Sequence, residues 1–175
     1  MEIPNWTKIK EDLIKDGFRK VIKRTFQLGS GEVFDFEIKQ EDTAACVLAL
    51  TGDNKVILVK QFRPGPEKVL LELPGGAIDN NEKPEEAIRR ELLEEAGYNG
   101  DFQFVSQSLH YAYSTLIKFN FIALNCNKVQ EPKTDKNEFT EVILMPLNEF
   151  KNHLRGGQLT DVETGYLGLD FLKLL

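Results

Sequence analysis

The sequence has little with which to build a membrane span, a disulfide framework or a nucleic-acid surface. No stretch approaches the roughly 18–20 unbroken apolar residues that cross a bilayer. Cysteine occurs twice in 175 residues. Cys46 and Cys126 are too few for a disulfide scaffold or a zinc site, and Cys46, inside the apolar run Thr43 to Leu50, reads as a small buried hydrophobe. Histidine also occurs twice, and His110 and His153 stand too far apart in sequence to read as a metal pair. Positive charge is short: 22 Lys and Arg against 28 Asp and Glu leave a formal net charge of −6. That argues against broad binding of nucleic acid. Met1 to Lys10 has no apolar core and does not read as a signal peptide. Repeats and low-complexity tracts are absent. What remains is an ordinary cytoplasmic globular protein, and 41% hydrophobic with 29% charged residues is the balance that builds one.

Turn and period signals place the elements. A short helix is expected around Lys8 to Ile14. Lys20 to Leu28 and Glu32 to Lys39 alternate on either side of Gly29-Ser30-Gly31 and predict a hairpin. Ala44 to Thr51 and Lys55 to Phe62 predict a second pair across Gly52-Asp53-Asn54. Val69 to Leu73 is a short strand ending at Pro74-Gly75-Gly76. Pro84 opens a helix, Glu85 and Glu86 suit its positive end, and Gly97 closes it after Ala96. Strands follow at Phe102 to Leu109, Leu116 to Leu124 and Phe139 to Met145. A helix spans Pro146 to Arg155, and Thr160 or Asp161 caps a last one reaching Leu175. This order predicts a mixed α/β sandwich, not a regular βαβ array.

The helix from Pro84 to Ala96 carries the anomaly. At 100° per residue Ile88, Leu92 and Ala96 form one apolar stripe. Glu95 falls between Ile88 and Leu92, Glu91 flanks the stripe, and Glu94 lies further round on the same side. Glutamate is rarely buried without a partner. Like charges three and four residues apart also repel. At about 4 Å the repulsion is roughly 4 kcal/mol per pair for an effective dielectric near 20. A divalent cation offsets it, because Mg²⁺ prefers oxygen ligands. It also answers a second need: an acidic protein that takes a phosphate anion must import positive charge locally. A solvated acidic helix face is the plain alternative.

The preceding loop decides between them. From Gly76 the chain reads GAIDNNEKPEEAIRRELLEEAGY: glycine, five residues, Glu82, seven residues, Arg90-Glu91-Leu92, one residue, Glu94-Glu95, one residue, Gly97-Tyr98. At roughly 7% usage for each of seven fixed residues, a chance match is on the order of 10⁻⁸ per starting position. The pattern resembles the Nudix box at every fixed position. The resemblance implies an α/β/α sandwich with a mixed central sheet. It implies Mg²⁺, or Mn²⁺ in its place, held by the carbonyl of Gly75 and by Glu91, Glu94 and Glu95, with Arg90 orienting a carboxylate such as Glu82. It implies attack of water on a diphosphate. Glycine at positions 76 and 97 lets the loop fold tightly against the helix.

The flank VILVKQFRPGPEKVLLELPGG, Val56 to Gly76, and the strands from Lys20 to Lys39 resemble the ADP-ribose and nucleoside-diphosphate-sugar pyrophosphatase branch of that family. On this basis residues 1–42 are an N-terminal antiparallel strand region that pairs two subunits into a homodimer, and residues 43–175 are the hydrolase domain. Arg63 and Glu72 match positions that contact the nucleotide, although a surface arginine and a solvent-facing glutamate are alternatives. The stretch His110-Tyr111-Ala112-Tyr113-Ser114-Thr115 departs from the branch's Pro-Gly-x-Ser pattern, and Tyr111 or Tyr113 offers a ring to a base or sugar instead. The resemblance implies a catalytic base on a late loop, best matched by Glu138 with Asp135 and Glu141 nearby; Glu95 is the alternative within the box. A dinucleoside polyphosphate substrate, or a sensor that binds without cutting, completes the readings.

Overall fold

The computed structural model describes residues 3–133 and 140–175. The chain divides into two units, Met1–Asp42 with Leu109–Ile117, and Thr43–Ser108 with Lys118–Leu175. The first unit is a three-stranded antiparallel sheet in the order β1 (Trp6–Lys15), β2 (Lys20–Leu28), β3 (Val33–Gln40). The expected hairpin forms with Lys20 opposite Gln40 and Gln27 opposite Val33. The helix expected at Lys8 to Ile14 does not form: those residues lie within β1, which pairs with β2 from Trp6↔Leu28 to Lys15↔Val21. Ile9 and Leu13 have helical spacing, but a neighbouring edge supplies the hydrogen bonds a seven-residue helix would need, and isolated short helices are marginal. Trp6 packs on this sheet, its ring 5.6–6.3 Å from those of Phe26, Phe34 and Phe36.

The segment Leu109–Ile117 is tied to the end of β3. Lys39 N–H donates to Tyr113 O at 2.9 Å, and Thr115 N–H donates to Lys39 O at 3.0 Å. The Thr115 hydroxyl donates to Glu41 O and accepts from Glu41 N–H, both at 2.8 Å, and Ser114 Oγ donates to Glu41 Oε2 at 2.7 Å.

The second unit is built on a sheet in the order β10-β5-β4-β9-β8, with β6 added to β5 and β7 to β4. Its elements are β4 (Ala44–Thr51), β5 (Lys55–Arg63), β6 (Lys68–Glu72), β7 (Gly75–Ala77), α1 (Pro84–Ala96), β8 (Tyr98–Leu109), β9 (Ile117–Lys128), β10 (Glu141–Pro146), α2 (Leu147–Gly156) and α3 (Val162–Phe171). β4 runs parallel to β9 and antiparallel to β5 and β7, which makes the sheet mixed. Strand geometry sends alternate residues of β4 to opposite faces. Ala45, Val47 and Ala49 meet Ile88, Leu92 and Ala96 of α1, while Cys46, Leu48 and Leu50 meet Phe150 and Leu154 of α2 and Leu169 of α3. Burial on both faces explains the unbroken apolar run of β4. The result is the α/β/α sandwich with a mixed sheet that the sequence predicts.

Two further details differ from the sequence reading. α3 ends at Phe171, not Leu175, and Leu174 N–H turns back to Leu169 O at 2.8 Å. Neither Thr160 nor Asp161 caps it by its side chain. Their polar atoms go to partners across the fold: Asp161 Oδ1 accepts from Lys118 Nζ at 2.5 Å, and the Thr160 hydroxyl donates to Glu72.

Candidate active site on the acidic helix

α1 starts where Pro84 sets the first turn, and the Glu86 carboxylate accepts the Lys83 N–H at 3.2 Å, the returning half of a capping box. It ends at Gly97, whose φ of 77° is left-handed and whose N–H donates to Leu93 O at 3.0 Å. The last turn carries no basic residue. Its carbonyls are answered instead by Lys133 N–H on Glu94 O at 2.7 Å and Gln130 Nε2 on Leu93 O at 3.3 Å. The helix is therefore pinned at both ends and along one stripe, where Ala87, Ile88, Leu92 and Ala96 are buried.

The glutamates emerge beside β7. Gly75 N–H donates to Glu95 Oε2 at 3.0 Å. A β-carbon on Gly75 would meet Cys46 Cα at 2.8 Å, so only glycine lets β7 lie this close to β4. Gly76 has the Glu91 carboxylate against it on the other side, so a β-carbon there would displace that side chain, whereas at Gly75 it would meet backbone. Ala77 O accepts from Arg90 Nη2 at 3.2 Å. Three successive residues of β7 are thus met by Glu95, Glu91 and Arg90.

Arg90 is the hub. Its Nε and Nη2 grip both oxygens of Glu82 at 3.1 and 3.0 Å, a fork-to-fork pairing that locks the loop to the helix. Its Nη1 reaches Glu91 Oε1 at 2.7 Å and Glu94 Oε2 at 3.3 Å. The hydrogen bond from Arg90 holds the Glu82 carboxyl below its ordinary range despite partial desolvation, and Glu82 with Glu91 raises the Arg90 guanidinium further. Glu91 is largely covered, with 15% of its side chain exposed, whereas Glu94 is open at 47%.

Among the described residues no three Asp, Glu, His or Cys side chains already close on one point as a metal cage. The donor set nonetheless fits a hard divalent cation. Glu91 and Glu94 converge on one positive nitrogen of Arg90, and Glu95 is held at the Gly75 backbone. Three carboxylates and a backbone carbonyl are oxygen ligands of the kind Mg²⁺ takes.

The other sequence-chosen residues separate into groups. Arg63 and Glu72 come together: Arg63 Nε is bonded to Glu72 Oε2, and Glu72 is fully buried, which excludes the solvent-facing alternative. Tyr111 and Tyr113 belong to the first unit and are both exposed. Tyr113 packs on Phe36 with ring centroids 6.3 Å apart, and Tyr111 on His110 at 5.0 Å. Glu141 pairs with Lys60 at 2.8 Å. Glu138 and Asp135 lie outside the described residues. Sequence reasoning missed Thr160 as a partner of Glu72, and a 88-residue separation leaves no local signal for it.

An acidic helix braced by an arginine against a glycine loop, on one face of an α/β/α sandwich, defines a class of metal-assisted hydrolase site. The chain belongs to the Nudix family: the NUDIX domain model matches residues 40–162. It is 30% identical over 152 residues to an ADP-ribose pyrophosphatase of Bacillus subtilis strain 168, covering 85% of this chain and 81% of that one. It is 37% identical over 163 residues to an ADP-sugar pyrophosphatase of Mus musculus, covering 82% and 75%. The fold is also that of a solved structure described as an ADP compounds hydrolase, with a TM-score of 0.81, 18% identity and full coverage of both chains.

Proposed function

We propose that the chain hydrolyses the pyrophosphate bond of a nucleoside diphosphate sugar such as ADP-ribose. Water adds to one phosphorus, the bridging P–O bond breaks, and a nucleoside monophosphate and a sugar phosphate leave. The observation that carries this reading is the complete set Gly76, Glu82, Arg90, Glu91, Glu94, Glu95 and Gly97 in a Nudix pyrophosphatase, with Glu95, Glu91 and Arg90 meeting β7 and Arg90 holding Glu82 and Glu94.

Hydrolases of this family generally depend on a divalent metal. In this reading it is Mg²⁺, with Mn²⁺ as a substitute, held by Glu91, Glu94, Glu95 and the Gly75 carbonyl. When bound, such an ion polarises phosphoryl oxygens and lowers the pKa of water. The residues themselves do the rest. Arg90 keeps the loop and the glutamates in register, and Gly75 N–H aims Glu95. Arg63 directs positive charge to the diphosphate. Proton removal from water falls to Glu95 or to Glu138. Tyr111 and Tyr113 offer aromatic faces to the base or sugar.

The same reading takes residues 1–42 as the element that pairs two copies into a homodimer and residues 43–175 as the hydrolase domain. It places the protein in the cytoplasm, which suits two buried free cysteines. Among the described residues no helix is long and apolar enough to cross a membrane. A dinucleoside polyphosphate is the second substrate reading, supported by the two exposed tyrosines.

The test is phosphate release, coupled through a phosphatase, across ADP-ribose, nucleotide sugars and diadenosine polyphosphates, with Mg²⁺ and with chelator. Metal-dependent turnover concentrated on ADP-ribose or a nucleotide sugar is the expected result. Turnover of dinucleoside polyphosphates alone establishes the second reading. Tight binding without turnover of any member makes the protein a sensor.

A further inference from the structure

Glu72 is a buried carboxylate whose two oxygens are both engaged inside the fold. Oε2 takes the Nε–H of Arg63. Oε1 takes two donors from Thr160: the hydroxyl at 2.5 Å and the backbone N–H at 3.2 Å. Asp161 Oδ2, at 3.3 Å, is a weaker alternative acceptor for that hydroxyl. Asp161 is itself engaged by Lys118 Nζ at 2.5 Å, and Glu163 by the same nitrogen at 2.7 Å. A buried carboxylate without partners is costly, so Glu72 requires Arg63 and Thr160 together.

The arrangement leaves the working end of Arg63 open. Only its Nε is bonded among the described residues, and 38% of its side chain is exposed. The two terminal nitrogens form the fork that pairs with phosphate oxygens. Glu72 closes β6 three residues before Gly75, the residue that holds Glu95. At about 3.3 Å per residue the backbone of Glu72 is no more than about 10 Å from that of Gly75.

We infer that Thr160 and Glu72 are positioning residues. Thr160 aims the Glu72 carboxylate, Glu72 holds Arg63 by its Nε edge, and Arg63 presents its terminal fork to the substrate's diphosphate. This rests on the reading of the chain as a nucleoside diphosphate sugar hydrolase, and it moves Glu72 from the substrate-contact group to the layer behind it.

The experiment compares the full chain with Thr160→Val, Thr160→Ser, Arg63→Gln and the double variant Thr160→Val with Arg63→Gln. Thr160→Val removes one of the two donors on Oε1 and keeps the side chain's size. KM for ADP-ribose is expected to rise about fivefold to tenfold, the worth of part of a hydrogen bond to a charged group, with kcat within about twofold. Thr160→Ser recovers most of the lost affinity. In the Arg63→Gln background Thr160→Val has no further effect on KM. An unchanged KM in Thr160→Val, multiplying effects in the double variant, or no recovery with serine overturns the inference.

Calorimetric titration of ADP-ribose in the presence of chelator repeats the comparison without turnover. A wild-type chain that binds but does not cut removes the proposed function, while the Kd values of the four variants still decide the positioning role. Should Thr160→Val fail to fold, Glu72→Gln, which weakens the hold on Arg63, is read in its place and must show the same dependence on Arg63.

Discussion

The Glu91 carboxylate lies against Gly76 so closely that a β-carbon on that glycine would stand 2.5 Å from the carboxylate carbon. The glycine of the motif is therefore the floor on which a metal-binding candidate rests, as well as a turn residue. Gly76→Ala must push Glu91 away by about an ångström. A displacement of that size at a reacting centre costs about 100-fold in rate. The expected result is a fall of that order in kcat/KM with a small change in Tm, measured by steady-state kinetics and calorimetry. Retained activity would remove Glu91 from the site.

Glu95→Gln is nearly isosteric and keeps an oxygen able to accept from Gly75 N–H, so the fold is expected to survive. It removes the negative charge that a divalent ion needs. Turnover should drop by more than about 100-fold, beyond the loss typical of an outer-shell change. Mn²⁺ binding followed by paramagnetic resonance should weaken alongside, and chelator should abolish wild-type turnover. Equal activity in variant and wild type would sink the assignment of the metal site.

Arg90 serves Glu82 with two nitrogens and Glu91 and Glu94 with a third. Lysine has no such fork, so Arg90→Lys is expected to lose about 10- to 100-fold in activity. The same pairing has a pH signature. Because Arg90 holds the folded-state Glu82 carboxyl below its ordinary value of 4.5, its stabilising effect is present above that value and is lost as pH falls through the lowered one. The Tm gap between wild type and Glu82→Gln should stay constant at neutral pH and shrink once pH drops below 4.5. A gap that persists undiminished into strong acid would show that Arg90 does not depend on the Glu82 charge.

Lys118 titrates at the other end of the scale. Burial by itself pulls its ammonium down, but Asp161, Glu163 and the nearby Cys46 outweigh that and raise it above the ordinary 10.5. The group's contribution is then complete below 10.5 and is lost as pH rises through the higher folded value. Alkaline unfolding followed by circular dichroism should narrow the stability difference between wild type and Lys118→Met only above that pH. A difference that closes already near neutrality would contradict the ion-pair assignment.

Much of this was legible before the structure. The spacing from Gly76 to Gly97 lies within one loop and one helix, and helical periodicity alone brings Glu91, Glu94 and Glu95 to one side. Arg90 and Glu82 are eight residues apart, close enough for a local motif to encode their pairing. The apolar run Thr43 to Leu50 marks a strand with Cys46 buried; that it is covered on both faces emerges from the packing of α1, α2 and α3. The first strand was expected as a short helix around Lys8 to Ile14, and only the adjacent edge of β2 decides for extended backbone.

What the sequence by itself determined is the chemistry of α1 and its loop, because that information is short-range: the period of the helix, the proline at its start and the glycines at its ends. What only the tertiary structure decided is the company those residues keep. Thr160 read as a helix cap and instead holds Glu72, 88 residues away. Asp161 does hold the N-cap position of α3, but its side chain neutralises Lys118, 43 residues away, and makes no cap bond. Glu72 read as either solvent-facing or substrate-facing and is in fact enclosed, with Arg63 between it and solvent. Such partners are chosen by how α3, β6 and β9 pack on the sheet, where a buried charge must find its opposite, and no local pattern carries that choice.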